Sequence, residues 1–162
     1  MSHQIIPCLW FDFQAEEAAS FYVSIFRDSK INTVSRYTKE GFETHGQKEG
    51  TVLTVDFQIN GQRFTAMNGG PIFTFNEAVS FQVFCDTQEE IDAYWSKLTE
   101  GGSESECGWL KDKYGVSWQI VPDVMNKMIA EKDPVKLERV MKALMPMHKI
   151  DIKELQRVYD LP

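Results

Sequence analysis

The chain predicts an α+β fold: two copies of one βαβββ unit followed by a helical tail. Three observations predict it. At a shift of 73 residues, Glu16-Glu17 falls on Glu89-Glu90, Phe21-Tyr22 on Tyr94-Trp95, Phe11 on Phe84 and Ile25 on Leu98. Separately, Gly61-Gln-Arg-Phe-Thr-Ala matches Gly115-Val-Ser-Trp-Gln-Ile in spacing and apolar alternation. Such self-similarity, with elements recurring in one order, marks repeated structural units. After Pro122 the apolar residues change to helical spacing and stay there.

In the first copy, Ile5 to Phe11 is an apolar run of strand length, and Ala18, Phe21, Tyr22 and Ile25 give Ala15 to Phe26 the period of a helix. Lys30 to Tyr37 reads as a strand, and the glycine-rich, charged stretch from Thr38 to Gly50 as a loop. Thr51 to Ile59 alternates cleanly, and Asn60-Gly61 turns it back through Arg63 to Met67. Asn68-Gly69-Gly70-Pro71 ends that strand.

The second copy starts with a strand over Ala78 to Cys85. Thr87, with Glu90 three residues on, is a capping box for a helix whose buried stripe is Ile91, Tyr94, Trp95 and Leu98. Cys107 to Pro122 makes a hairpin bracketed by Asp112, suited to accepting local backbone bonds, and Gly115, suited to an unusual φ. Its outgoing strand alternates Ser117 and Gln119 with Trp118 and Ile120, one polar face and one apolar. In the tail, Asp123 to Ala130 is helical, Asp133 with Pro134 opens a second helix, and Asp151 with Glu154 caps a third. Leu137, Val140, Met141, Leu144 and Met145 form a stripe that needs a surface to cover it.

At 162 residues, 43% hydrophobic and 25% charged, the chain can bury a core and is not of disordered composition. Its net charge of −7 argues against nucleic acid or an anionic membrane as partner, since both select basic surfaces. No apolar run approaches the roughly 18 residues of a spanning helix. The start runs directly into Ile5-Ile6-Pro7 without a basic region or cleavage site, an expectation against secretion. Cys8, Cys85 and Cys107 are odd in number and lack CxxC spacing, which predicts reduced thiols in the cytoplasm.

The two βαβββ units, with Leu9-Trp10-Phe11-Asp12, Phe21-Tyr22, Asn68-Gly69-Gly70-Pro71, Cys107-Gly-Trp-Leu-Lys-Asp and Trp118-Gln119, resemble the vicinal oxygen chelate superfamily. That group includes glyoxalase I, bleomycin- and fosfomycin-resistance proteins and extradiol dioxygenases; the narrower resemblance is to its PhnB-like branch. The resemblance spans about residues 5 to 122, and in the narrower branch extends to the helical tail. It implies a glyoxalase-like curved mixed sheet over residues 1–122, with modules at about 5–70 and 77–122 and a helical extension at 123–162. It also implies a homodimer, because cups are completed by pairing chains or modules.

In the superfamily's metal enzymes each of four strands gives one ligand, commonly two histidines and two glutamates. Carrying those positions over by motif gives Pro7, Thr65, Ser80 and Gln119. Proline has no donor atom in its side chain, and the other three are weak neutral donors for a transition metal. The resemblance therefore implies a cup without metal or other cofactor that binds a small organic molecule, its reaction unknown. The alternative is a metal-dependent lyase or dioxygenase with other ligands, and a third reading is an interaction module whose cup is filled by its own side chains. PhnB-like proteins have also been labelled ubiquinone-pathway methyltransferases, yet no glycine-rich strand-to-helix turn suited to a methyl donor is present.

Strand parity with the carried-over positions puts Leu9, Phe11, Gln82, Phe84 and Ser117 on the cup face as well, and Cys8, Trp10, Phe81, Val83, Trp118 and Ile120 toward the helices. Gln119 there either orients a ligand or bonds a neighbouring strand's side chain. Trp109 either stands by a ligand or staples its hairpin. Ser80 has no histidine near it in sequence to activate it as a nucleophile. Cys8 and Cys85 read as small core residues, Cys107 as partly exposed at a strand entry. His3, His45 and His148 lie in a terminal stretch, a loop and the tail, where solvation is the commoner fate. Asn68-Gly69-Gly70 is either a plain turn or an anion nest.

Overall fold

Local turn and cap chemistry sets the order of elements in this computed structural model, which describes residues 4–161; His3 lies outside them. The chain divides into two compact units between Thr74 and Phe75. The first unit runs β1 (Cys8–Phe11), α1 (Ala15–Ile25), β2 (Lys30–Arg36), a short α2 (Phe42–His45), β3 (Val52–Ile59) and β4 (Gln62–Asn68). Asn60 and Gly61, both at positive φ, join β3 to β4 as their side-chain chemistry predicts. The second unit runs β5 (Ser80–Cys85), α3 (Gln88–Thr99), β6 (Ser103–Glu104), β7 (Trp109–Lys111) and β8 (Ser117–Pro122). It ends in α4 (Asp123–Ala130), α5 (Pro134–Leu144) and α6 (Ile152–Tyr159).

The two units share one topology. Each holds a four-stranded mixed sheet, ordered β1-β4-β3-β2 in the first and β5-β8-β7-β6 in the second. In both, the first strand runs parallel to the last and the remaining pairs are antiparallel. The βαβββ repeat is thus present twice.

One face of each sheet lies under its helix. In the first unit Val55, Phe57, Phe64 and Ala66 are buried with Ala18, Tyr22 and Ile25 of α1, and Tyr22 stacks on Phe57 with centroids 6.2 Å apart. In the second, Val83, Cys85, Trp118 and Ile120 are buried with Ile91, Trp95 and Leu98 of α3. Each large side chain so buried contributes on the order of 1.5–3 kcal/mol. The Thr87 hydroxyl accepts from Glu90 N, and the Glu90 carboxylate accepts from Asp86 N, one residue before the cap.

The register of β1 differs from expectation. Leu9 and Phe11, expected on the open face, are 7% and 2% exposed and share the buried side with Ala66 and Asn68, their ladder partners. Cys8 and Trp10, expected toward the helix, lie on the opposite side, paired with Thr65 and Met67. The cause is the linker to the helix, which is Asp12–Gln14 in the first unit but only Asp86–Thr87 in the second. The 73-residue shift aligns the helices, while the strands align at 74. Cys8 opposite Thr65 then corresponds to Gln82 opposite Gln119.

The tail folds against its own unit. Met128, Val140, Leu144, Ile150, Leu155, Val158 and Tyr159 form a buried cluster joined by Cys107 and Val124. The α5 stripe is narrower than predicted: Val140 and Leu144 are buried, but Met141 is 47% and Met145 60% exposed. Asp133 and Asp151 cap their helices, accepting from Val135 N and Lys136 N and from Glu154 N. The attachment to the hairpin is made by backbone, Cys107 N donating to Met147 O at 2.6 Å and Gly108 N to His148 O at 2.8 Å. Any Cβ at Gly108 would sit 2.7 Å from Ile120 O and 2.9 Å from Ile150 Cδ1, so close docking requires glycine there.

Candidate functional site

Asp112 is the pivot of the second unit's hairpin. Only 3% exposed, its carboxylate accepts from Tyr114 N at 2.9 Å, Val116 N at 3.0 Å and Trp118 Nε1 at 2.9 Å. Two of these bonds shape the turn, closed by Gly115 at φ 86°, and the third holds the Trp118 indole on the helix side of the sheet. With Trp118 fixed on that side, the pleat turns Ser117 and Gln119 to the other.

That other face carries polar side chains in a row. Gln82 Nε2 donates to Gln119 Oε1 at 3.2 Å, and Gln119 Nε2 donates to Ser80 Oγ at 2.7 Å. Gln119 therefore bonds two side chains of the neighbouring β5 while staying half-buried. Phe84, 50% exposed, continues the row one pair on, opposite Val121. Across the other ladder Trp109 stands opposite Gln119, and Lys111 opposite Ser117.

Trp109, Lys111 and Ser117 line a cavity of about 160 Å³ with Ser103 and Ser105. Glu77, from the segment before β5, closes it with its carboxylate 2.5 Å from Lys111 Nζ. The hydrogen bond from Lys111 holds the Glu77 carboxyl below its ordinary pKa. Ser117 is 1% exposed, and its hydroxyl has no hydrogen-bond partner among the described residues. Sequence reasoning does not single out Glu77 or Lys111; the available signal is the charged residue inside Cys107-Gly-Trp-Leu-Lys-Asp.

The open face of the first unit's sheet is built differently. Thr65, half-buried, lies between Cys8 and Asp56 in the ladder. Arg63 bonds Asp56 on this face, and Asn32 Nδ2 donates to the other Asp56 oxygen at 2.7 Å. Arg63 holds the Asp56 carboxyl below the usual range, with help from Asn32. Pro7 precedes the strand, and its carbonyl accepts from Thr65 N at 2.9 Å. Cys8 is exposed, and partial burial of its thiol raises its pKa, which disfavours a reactive thiolate. Burial, then Glu90 and Asp86, pushes Cys85 up to about 12, as suits an inert core thiol.

The motif Asn68-Gly69-Gly70 is structural. Asn68, 3% exposed, accepts from Ala15 N through Oδ1 and donates from Nδ2 to Val52 O, tying α1, β3 and β4 together. The Gly69 amide is used by Phe11 O, and the Trp10 indole donates to Gly70 O at 2.8 Å. A Cβ at Gly69 would meet the Trp10 ring at 2.0 Å.

The carried-over positions offer a poor donor set for a transition metal. Pro7 offers no side-chain donor and has the parity of the buried Leu9 and Phe11, Cys8 stands on the open face with a thiol whose pKa is raised, and Thr65, Ser80 and Gln119 are neutral donors. Among the described residues no three His, Cys, Asp or Glu side chains gather as a metal-binding group. None of the described helices is long and apolar enough to cross a membrane.

Paired βαβββ units with one parallel and two antiparallel strand pairs each define a glyoxalase-like protein of the vicinal oxygen chelate superfamily. Within it, residues 3–121 match the family model described as 3-demethylubiquinone-9 3-methyltransferase, and the chain belongs to that PhnB-like family. A PhnB protein from Bacillus cereus is 40% identical, with 74% of this chain and 99% of that one covered at a TM-score of 0.65. Protein PA1353 from Pseudomonas aeruginosa is 19% identical, covering 75% of this chain and 98% of its own at a TM-score of 0.59. The fosfomycin resistance protein FosX from Mesorhizobium loti is 12% identical, covering 80% and 98% at a TM-score of 0.56. The last two share the fold. No curated protein matches the chain. The family match stops before α4, so the tail lies outside it, contrary to the expected extension of the resemblance.

Proposed function

We propose that this chain is a small-molecule-binding glyoxalase-fold protein working without the superfamily's transition metal, its ligand lying on the polar face of the second unit's sheet. The observation that carries this reading is the bonded row Gln82–Gln119–Ser80 beside the cavity of Trp109, Lys111 and Ser117. A row of uncharged amides and a hydroxyl orients a ligand by donors and acceptors, and an aromatic wall supplies apolar contact. On the open faces the donors are Cys8, Thr65, Ser80 and Gln119, one thiol whose pKa is raised beside three neutral groups, a set that supports binding over metal-assisted lyase or dioxygenase chemistry.

The family's descriptive label names a methyltransferase, but the linkers from β1 to α1 and from β5 to α3, Asp12–Gln14 and Asp86–Thr87, contain no glycine to cradle a nucleotide-type methyl donor, and the four-residue α2 after Gly41 is too short to present one. The proposal extends to a cytoplasmic homodimer. Three free cysteines support the reducing compartment, and the superfamily's habit of pairing modules or chains supports the dimer, which sedimentation velocity tests.

The experiment is native mass spectrometry and elemental analysis of the full chain purified without added metal, repeated for Gln119→Leu. The expected result is a small organic adduct that the substitution removes, with no transition metal. One equivalent of transition metal per chain, lost in Gln119→Leu, would replace this reading with the metal-dependent one.

A further inference from the structure

The cavity of the second unit already holds a carboxylate, and that carboxylate belongs to the protein. Glu77 reaches Lys111 from a segment without helix or strand, and its side chain is 62% exposed. Solvent screens a pair as open as this and leaves it weak, so an outside competitor need overcome little. We propose that the cavity binds a small carboxylic acid in its ionised form, which exchanges with the Glu77 side chain on Lys111.

This deepens the small-molecule reading above and rests on it. Three features of the site fit such a ligand. Lys111 and Ser117 are direct ladder partners on one face, which sets their Cβ atoms about 4.5–5.5 Å apart, a span that one carboxylate bridges. The Ser117 hydroxyl is buried and unpartnered among the described residues, a state that an arriving carboxylate oxygen would relieve. Trp109, two residues along the same face, offers a flat wall to the organic end of the acid. About 160 Å³ corresponds to about five waters, so the ligand is limited to fewer than about ten non-hydrogen atoms. Glu77, being tethered, competes at an effective concentration of the order of millimolar. It sets a threshold, so that the cavity fills only when free acid outcompetes it.

The test is a titration of the full chain, followed by amide NMR shifts, with sodium acetate and sodium benzoate as probes and with sodium chloride and acetamide as controls. Acetate and benzoate are expected to shift the amides of Lys111 and Ser117, whereas chloride and acetamide leave them in place. Glu77→Gln should tighten carboxylate binding at least threefold by removing the internal competitor. Lys111→Met should abolish it, and the near-isosteric Ser117→Ala should weaken it at least threefold in both backgrounds. Equal affinities in the parent and Glu77→Gln, or binding retained in Lys111→Met, would overturn the proposal. If the organic adduct of the preceding experiment persists while no variant binds carboxylate, only this inference fails. If neither is found, both readings fail.

Discussion

Removing the Asp112 carboxylate should unfasten the hairpin that carries Trp109, Lys111 and Gln119. In Asp112→Ala, Val116 N and Trp118 Nε1 lose their acceptor inside the protein, and Tyr114 N loses one nearer the surface. Each buried donor left unpaired costs about 1–3 kcal/mol, so the two together cost about 2–6 kcal/mol. Asp112→Asn is the finer probe. Its oxygen can keep the two backbone amides, but its NH₂ then faces the indole N–H, donor against donor, and one unpaired group costs about 1–3 kcal/mol. Urea unfolding followed by tryptophan emission and far-ultraviolet circular dichroism measures both. With a slope of about 2 kcal/mol/M, Asp112→Asn should unfold at about 0.5–1.5 M less urea. A stability for Asp112→Ala within about 0.5 kcal/mol of the parent, at unchanged slope, would refute the account of Asp112 as the pin of this hairpin.

Asn68→Ala should cost about 2–6 kcal/mol in the same assay, since Ala15 N and Val52 O are both left without their buried partner at about 1–3 kcal/mol each; an unchanged midpoint would count against the role given to Asn68. Truncation after Pro122 removes the whole tail cluster and bares Cys107 and Gly108, whose amides lose their acceptors at Met147 and His148; it should lower the melting temperature or the solubility markedly, and Gly108→Ala should do so in part, while an unchanged melt and oligomeric state would show the tail to be dispensable. At high pH, Tyr159 should matter. Its hydrogen bond to Glu131 raises its pKa from 10.0 to about 12, so the folded chain holds that proton more tightly than the unfolded one. The stabilisation is complete below about pH 10 and is lost as the pH rises toward 12. The stability difference between the parent and Tyr159→Phe should shrink over that interval, and parallel pH profiles would contradict it.

Helix starts are legible in the sequence because their chemistry is local: Thr87, Asp133 and Asp151 each accept from amides two or three residues on. The second unit's faces are legible because Ser117 to Ile120 alternates polar with apolar. In β1 the run Cys8-Leu9-Trp10-Phe11 is apolar throughout, so neither face is marked and only the repeat can assign one. The repeat carries the helix's alignment into the strand and is off by the one residue that the linkers differ by. The short β6 leaves no trace because Ser103 and Glu104 are both exposed, and α2 because its four residues lie between glycines in a polar loop. The Glu77–Lys111 pair is invisible because its partners are 34 positions apart, with nothing in either neighbourhood to point to the other.

The attachment of the tail to Cys107 and Gly108 also supplies a built-in reporter. Both amides give their hydrogens to carbonyls of the tail, at Met147 and His148, and not to the sheet. Their exchange with deuterated solvent therefore measures how often the tail lifts away, on a clock separate from opening of the β8 ladder. Because the acceptors are main-chain oxygens, changes of side chain at 147 and 148 leave both bonds available. At the exposed His148 the sequence can drift while the mooring stays in place, whereas Met147 also packs on the tail's buried cluster.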